Sequence, residues 1–170
     1  APNLITGSND GTVRLWAGNE EGDSVTIEPE SGNIIALSVS SKYDRLLISG
    51  SDGVPTVWDP RYCKSIAALE KHEAGVNCCD LSSDGLVAVT GSSDGYFRLF
   101  DIRSGSITHT FDCGDAVTAV SLRQTGSAIA AGTANGTVLL WDSRTQTVLN
   151  GSVLHENVVT SLDFHPNKPL

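Results

Sequence analysis

The sequence predicts an all-β fold, a β-propeller of four repeats, each a sheet of four short antiparallel strands. Three observations carry that expectation. A phrase made of a small-residue strand end, a turn, a second strand closing on an aromatic, and an acid stands most fully at Thr90–Asp101, and returns at Thr6–Ala17, Ser49–Asp59 and Ala131–Asp142. Its closing aromatics, Trp16, Trp58, Phe100 and Trp141, recur at steps of 42, 42 and 41 residues, the period of a propeller blade. Candidate strands follow one another at short intervals, punctuated by Gly, Asp and Asn, and no segment keeps a 3.6-residue apolar period, so helix should be nearly absent.

Taken in order, residues 4–7 and 12–16 read as two strands around Asn9-Asp10-Gly11, a turn that needs positive φ. Residues 24–28 form a weaker third strand after the polar loop 18–23. The second unit reads Ile34–Val39, Leu46–Gly50, Thr56–Trp58 and Ser65–Leu69, with Asp52-Gly53 as its turn. Pro55 has no N–H for a ladder, so that third strand should start late. The third unit reads Val76–Leu81, Leu86–Gly91, Tyr96–Asp101 and Ser106–Phe111; the fourth reads Val117–Leu122, Ala128–Gly132, Thr137–Asp142 and Thr147–Leu154. A last strand is expected over Val158–Phe164. The middle strands Leu46-Leu47-Ile48, Val87-Ala88-Val89 and Ile129-Ala130-Ala131 are apolar on both faces, as strands covered on both sides are. Blades are therefore expected near 34–69, 76–111 and 117–154, with one more at 1–28 that 155–170 would complete, a blade split between the two chain ends.

The totals narrow the class. With 170 residues, 39% hydrophobic, 18% charged and 17 glycines, the chain is globular in composition and rich in turns. Met is absent, so the sequence reads as a processed or excised piece of something larger. A net charge of −9 argues against direct nucleic-acid binding, which needs clustered Lys and Arg. No apolar run reaches the roughly 18 residues of a membrane span. Cys63, Cys78, Cys79 and Cys113 form no CxxC pair, and buried reduced thiols point to a cytoplasmic or nuclear compartment. The sequons at Asn135 and Asn150 read as Asn-Gly turns.

The residues Trp58-Asp59, Phe100-Asp101 and Trp141-Asp142, each after Ser-Asp-Gly or a close variant, resemble the WD40-repeat propeller family over essentially the whole chain. The resemblance implies a buried tetrad of His, Ser or Thr, Asp and Trp in each blade. Carried over by position, the third unit offers His72, Thr90 and Asp94, with Phe100 for Trp, which cannot donate an indole N–H. The second offers Ser49, Asp52 and Trp58 without a His. The fourth has Trp141, but Cys113, Ala131 and Asn135 stand in the other places. The first has Thr6, Asp10 and Trp16, and His155 precedes Val159 by four residues as His72 precedes Val76. The two ends together would make that tetrad complete.

Sites for chemistry are missing from this pattern. There is no GxGxxG, Walker loop, HExxH or GxSxG, and no His or Cys pair at metal spacing, so no enzyme, cofactor or metal is implied. His109 lies in a polar strand and reads as exposed, and Arg98 reads as outward-facing. The expected function is a non-catalytic scaffold that binds a protein or peptide on the rim, where the resemblance places the family's partners. That rim would show Glu30, Asn33, Glu73, Asn77, Asp112, Asp115, Thr118, Glu156 and Asn157, with Tyr96 as an aromatic anchor; its acidity favours a basic partner. An alternative is the adaptor subunit of a cullin-type ubiquitin ligase, docking through Arg61, Arg103 and Arg144 at WDxR-like endings. A homodimer that exchanges chain ends and closes an eight-bladed ring is also expected, in preference to a strained four-bladed monomer, with an excised half of a longer propeller as the competing reading.

Overall fold

The computed structural model describes residues 4–18, 23–40, 42, 44–123, 125–143 and 145–165. Among these the regular structure is entirely strand: β1 (Leu4–Gly7), β2 (Val13–Trp16), β3 (Ser24–Ile27), β4 (Ile34–Ser40), β5 (Arg45–Gly50), β6 (Thr56–Asp59), β7 (Lys64–Ala68), β8 (Val76–Leu81), β9 (Val87–Ser92), β10 (Tyr96–Asp101), β11 (Ser106–Asp112), β12 (Val117–Leu122), β13 (Ala128–Thr133), β14 (Thr137–Asp142) and β15 (Thr147–Val153). They form four antiparallel sheets in sequence order, β1-β2-β3, β4-β5-β6-β7, β8-β9-β10-β11 and β12-β13-β14-β15. Each joins nearest neighbours in the chain, as the 42-residue period requires. β6 starts at Thr56, after Pro55, whose carbonyl accepts the Leu69 N–H.

One turn chemistry builds the four central hairpins. The side-chain oxygen of Asp10, Asp52, Asp94 or Asn135 accepts the backbone N–H two residues on, at 2.9 to 3.1 Å. The glycine between, Gly11, Gly53, Gly95 or Gly136, has φ of 81° to 87°, where a side chain would be strained.

Three apolar layers lie between neighbouring sheets. Val13, Leu15, Ile34, Leu46 and Ile48 fill the first, Leu47, Val57, Leu81, Ala88 and Phe100 the second, and Val89, Phe97, Leu99, Val117, Ile129 and Trp141 the third. The strand alternation explains the apolar middle strands: Leu46 and Ile48 face one neighbour while Leu47 faces the other. Each such side chain stabilises by about 1.5–3 kcal/mol when fully buried.

Four expectations change. The segment 158–164 joins no sheet among the described residues; it contacts β12 and the end of β13, with the Val159 N–H donating to the Thr133 carbonyl and the Thr118 hydroxyl donating to the Val159 carbonyl. In the other units the pairing partner is the next strand in sequence, and residues 166–170 lie outside the described ones. The first sheet accordingly has three strands. Asn150 sits within β15 and not in a turn; it faces Leu140 across the ladder. His109 is half-buried, because Ile107, His109 and Phe111 share the inward face of β11, and its ring lies 5.4 Å from that of Trp141. Arg98 points inward beside Thr90, its guanidinium donating to the Lys71 carbonyl and lying 3.7 Å from Asp94.

Candidate functional site

The rim is made by the hairpin turns after β1, β5, β9 and β13 and by the loops that enter β4, β8 and β12. Several of its polar groups are consumed by the fold. Asn77 Nδ2 donates to Ser93 Oγ and to the Val117 carbonyl, both at 2.9 Å, so it ties the third sheet to the fourth. Thr118 does the same work one sheet on, through the Val159 carbonyl at 2.6 Å. Asp112 accepts the Gly114 N–H, and Asp115 accepts the Ala116 N–H. Asn157 accepts the Val158 N–H.

Glu30, Asn33, Glu73, Glu156 and Tyr96 are exposed. Glu30 and Asn33 stand together: with Asp10, Gly11, Thr12, Glu28, Ser31 and Gly32 they line a cleft of about 510 Å³ between the first hairpin turn and the loop entering β4. Three acidic residues, Asp10, Glu28 and Glu30, therefore line one concavity. Asp10 is held below the ordinary carboxylate range, chiefly by the Thr12 hydroxyl, so it stays charged into acid. Glu28 escaped sequence reasoning because it sits at the end of a weak strand; its signal was adjacency to the loop that carries Glu30. The other rim residues spread over the loops of the third and fourth sheets.

The tetrad positions behave individually. In the third sheet His72 is fully buried, with Nδ1 2.9 Å from Asp94 Oδ2 and Nε2 2.8 Å from Thr90 Oγ1. In the first, the Trp16 indole donates to Thr6 Oγ1 at 3.0 Å. His155 is exposed. In the second sheet, the Trp58 indole donates to Thr56 Oγ1 at 2.9 Å and not to Ser49, whose hydroxyl donates to the Ala36 carbonyl. The reason is register. Thr6 and Thr90 stand four residues before the turn acid, and four before Asp52 is Ile48, which pairs with Thr56. Ser49, one place on, faces the other side of the sheet.

At the exits of the third strands, Arg61 forms a fork on Asp59 at 3.1 and 2.7 Å and also reaches Asp44 at 3.1 Å. Arg61 is the main cause that holds the Asp59 carboxyl low. The Arg103 N–H donates to Asp101. Arg144 lies outside the described residues. Trp141 is buried against Phe111. Among the described residues no group of three or more His, Cys, Asp or Glu could hold a metal ion.

Comparison with known proteins agrees with this architecture. Residues 74–169, more than half of the chain, match the family model described as nucleolar protein 10-like, N-terminal domain, a β-propeller. Residues 1–17 match the WD domain, G-beta repeat. The guanine nucleotide-binding protein subunit beta of Solanum tuberosum is 34% identical over 177 residues, covering 94% of this chain and 47% of the relative. Its counterpart in Oryza sativa subsp. indica is 32% identical over 156 residues, covering 82% and 41%. The U5 small nuclear ribonucleoprotein 40 kDa protein of Dictyostelium discoideum is 27% identical over 147 residues, covering 84% and 41%. This chain thus spans less than half the length of these relatives. Its repeat, its turns and these matches agree: the chain belongs to the WD40-repeat β-propeller family.

Proposed function

We propose that the chain is a non-catalytic protein-interaction scaffold whose rim binds a basic peptide or a basic protein surface. The observation that carries this is the cleft in which Asp10, Glu28 and Glu30 converge beside exposed Asn33. A Lys or Arg side chain entering it would meet three carboxylates and displace little ordered structure. Similarity to G-protein β subunits and to a ribonucleoprotein component supports a role in assembly. The nucleolar protein 10-like match supports a nuclear place of action.

Fluorescence anisotropy with a labelled alternating Lys-Ser octapeptide tests the reading. Binding should weaken as salt rises, since the Debye length falls from about 10 Å at 0.1 M to about 3 Å at 1 M. Glu28→Gln with Glu30→Gln should lower affinity several-fold. Equal binding of an alternating Glu-Ser peptide, or no effect of the double variant, would refute it.

Docking to a cullin-type ligase has weaker support, because the Arg61 guanidinium is already engaged by Asp59 and Asp44. As a further partner we infer a second copy of the chain, closing an eight-bladed ring.

A further inference from the structure

Where a third strand leaves its sheet, the second residue after the closing aromatic meets the preceding sheet. That residue is Pro60, Ile102 or Ser143, at steps of 42 and 41 residues. Between the second and third sheets Ile102 fills the joint: it is 7% exposed and belongs to the apolar layer that holds Val57 and Ala67. One repeat on, the places of Val57 and Ala67 are taken by Leu99 and His109, but the incoming residue is Ser143, whose hydroxyl donates to the Gly126 carbonyl at 2.6 Å. A serine is too small to fill the space of an isoleucine. The joint stays open as a cleft of about 430 Å³, with Leu86, Val87, Leu99 and His109 from the third sheet and its turn, and Gly126 and Ser143 from the fourth. Both sheets carry all four strands, so the opening lies between complete sheets. His109 Nδ1 is buried without a hydrogen-bond partner among the described residues, so one wall holds a polar atom the fold does not use.

The arginine at the mouth differs as well. Arg61 is held by Asp59 and Asp44. Its counterpart one repeat on, Arg103, lines the cleft, and Leu86 takes the place of Asp44. Among the described residues the Arg103 guanidinium has no hydrogen bond or ion pair. The two carboxylates of the cleft are already committed to local turns. Asp84 accepts the Ser82 hydroxyl at 2.6 Å and the Leu86 N–H at 3.0 Å, and Asp101 accepts the Arg103 N–H at 2.8 Å.

We propose that this cleft, at the end of the sheets opposite the rim, docks a peptide that carries Leu or Ile beside Asp or Glu. The aliphatic side chain takes the place that Ile102 fills one joint earlier, on walls that are mostly apolar. The neighbouring carboxylate accepts paired N–H bonds from Arg103. A Lys in that position would instead face an unpaired guanidinium. The site differs from the rim cleft in place and in the charge it selects, so the two do not compete.

Fluorescence anisotropy with a labelled Gly-Ser-Leu-Asp-Ser-Gly peptide tests it, beside control peptides in which Leu is replaced by Ala or Asp by Lys. The parent chain should bind the first about tenfold more tightly than either control, the loss expected when a buried aliphatic or a charge pair is removed. Ser143→Ile should fill the cleft from within, raise the urea midpoint and lower affinity about tenfold. Arg103→Gln, a change at an exposed side chain, should lower affinity several-fold and leave the midpoint in place. If Ser143→Ile folds poorly, Arg103→Gln and the control peptides decide. A parent that does not bind the Leu-Asp peptide at millimolar concentration overturns the proposal. Equal binding of the Lys peptide, or an affinity that Arg103→Gln and a folded Ser143→Ile leave unchanged, overturns it too.

Discussion

His72 shows how one buried side chain can make a sheet sensitive to pH. With Asp94 ionised, the proton sits on Nδ1 and the bare Nε2 accepts the Thr90 hydroxyl. Burial pulls the His72 pKa below its usual 6.5, and the neighbouring Arg98 charge adds to this, while Asp94 pulls the other way without winning. Burial also opposes the charge on Asp94, yet the Tyr96 N–H, His72 and the Glu73 N–H hold that carboxyl below its ordinary value. The sign for His72 follows. The unfolded chain takes up the proton near pH 6.5, while the folded chain takes it up only at lower pH. The stability from the neutral, buried ring is therefore present above 6.5 and is lost as pH falls through that value. Asp94 contributes its own stability above about pH 3.8, lost in stronger acid. Urea midpoints should fall between pH 7.5 and 5, and His72→Asn should flatten that slope while lowering stability at pH 7.5. A slope unchanged in the variant would show that His72 is not the group responsible.

At the scale of the element, a glycine in one sheet receives a β-branched side chain from the next sheet or, at the last sheet, from the segment 158–164. A Cβ at Gly91 would come within 2.5 Å of Val117 Cγ1, one at Gly132 within 2.5 Å of Val159 Cγ1, and one at Gly7 within 2.6 Å of Ile34 Cγ2. Gly91→Ala should therefore destabilise by about 1–3 kcal/mol, as overpacking does, and Val117→Ala in the same chain should recover part of the loss. Denaturant midpoints that leave Gly91→Ala neutral would show that Val117 does not press on Gly91. The same elements show what was legible in the sequence. The turn acids, the Gly after each, and the apolar middle strands placed most strands within one or two residues, because turn chemistry and two-sided burial are local. The hydroxyl partner of Trp58 was not legible. The small residues of Ser49-Gly50-Ser51 look like those of Thr90-Gly91-Ser92, and only the distance to Asp52 reveals the one-place shift. His109 was misjudged because Thr108 and Thr110 make β11 look polar, although alternation puts only one face outside. The strand over 158–164 failed for a different reason: sequence can show the propensity to extend, but pairing needs a partner strand. Of the rim, exposure of Glu30 and Glu73 was readable, whereas the consumption of Asn77 and Thr118 by neighbouring sheets depends on contacts about 40 residues away in sequence.

For the whole molecule, the distribution of burial orders the sheets by resistance to opening. β9 is buried at all but one position, and β10 carries Phe97, Leu99 and Phe100 into two apolar layers. β1 has no buried residue, and β15 is exposed along its full length. A stack in which each sheet touches only its neighbours opens from its ends. Native-state hydrogen exchange should therefore show the slowest amides in β8–β10 and the fastest in β1 and β15, with β4 between. Uniform protection across all four sheets would mean that the chain unfolds only as a whole, against a nearest-neighbour stack.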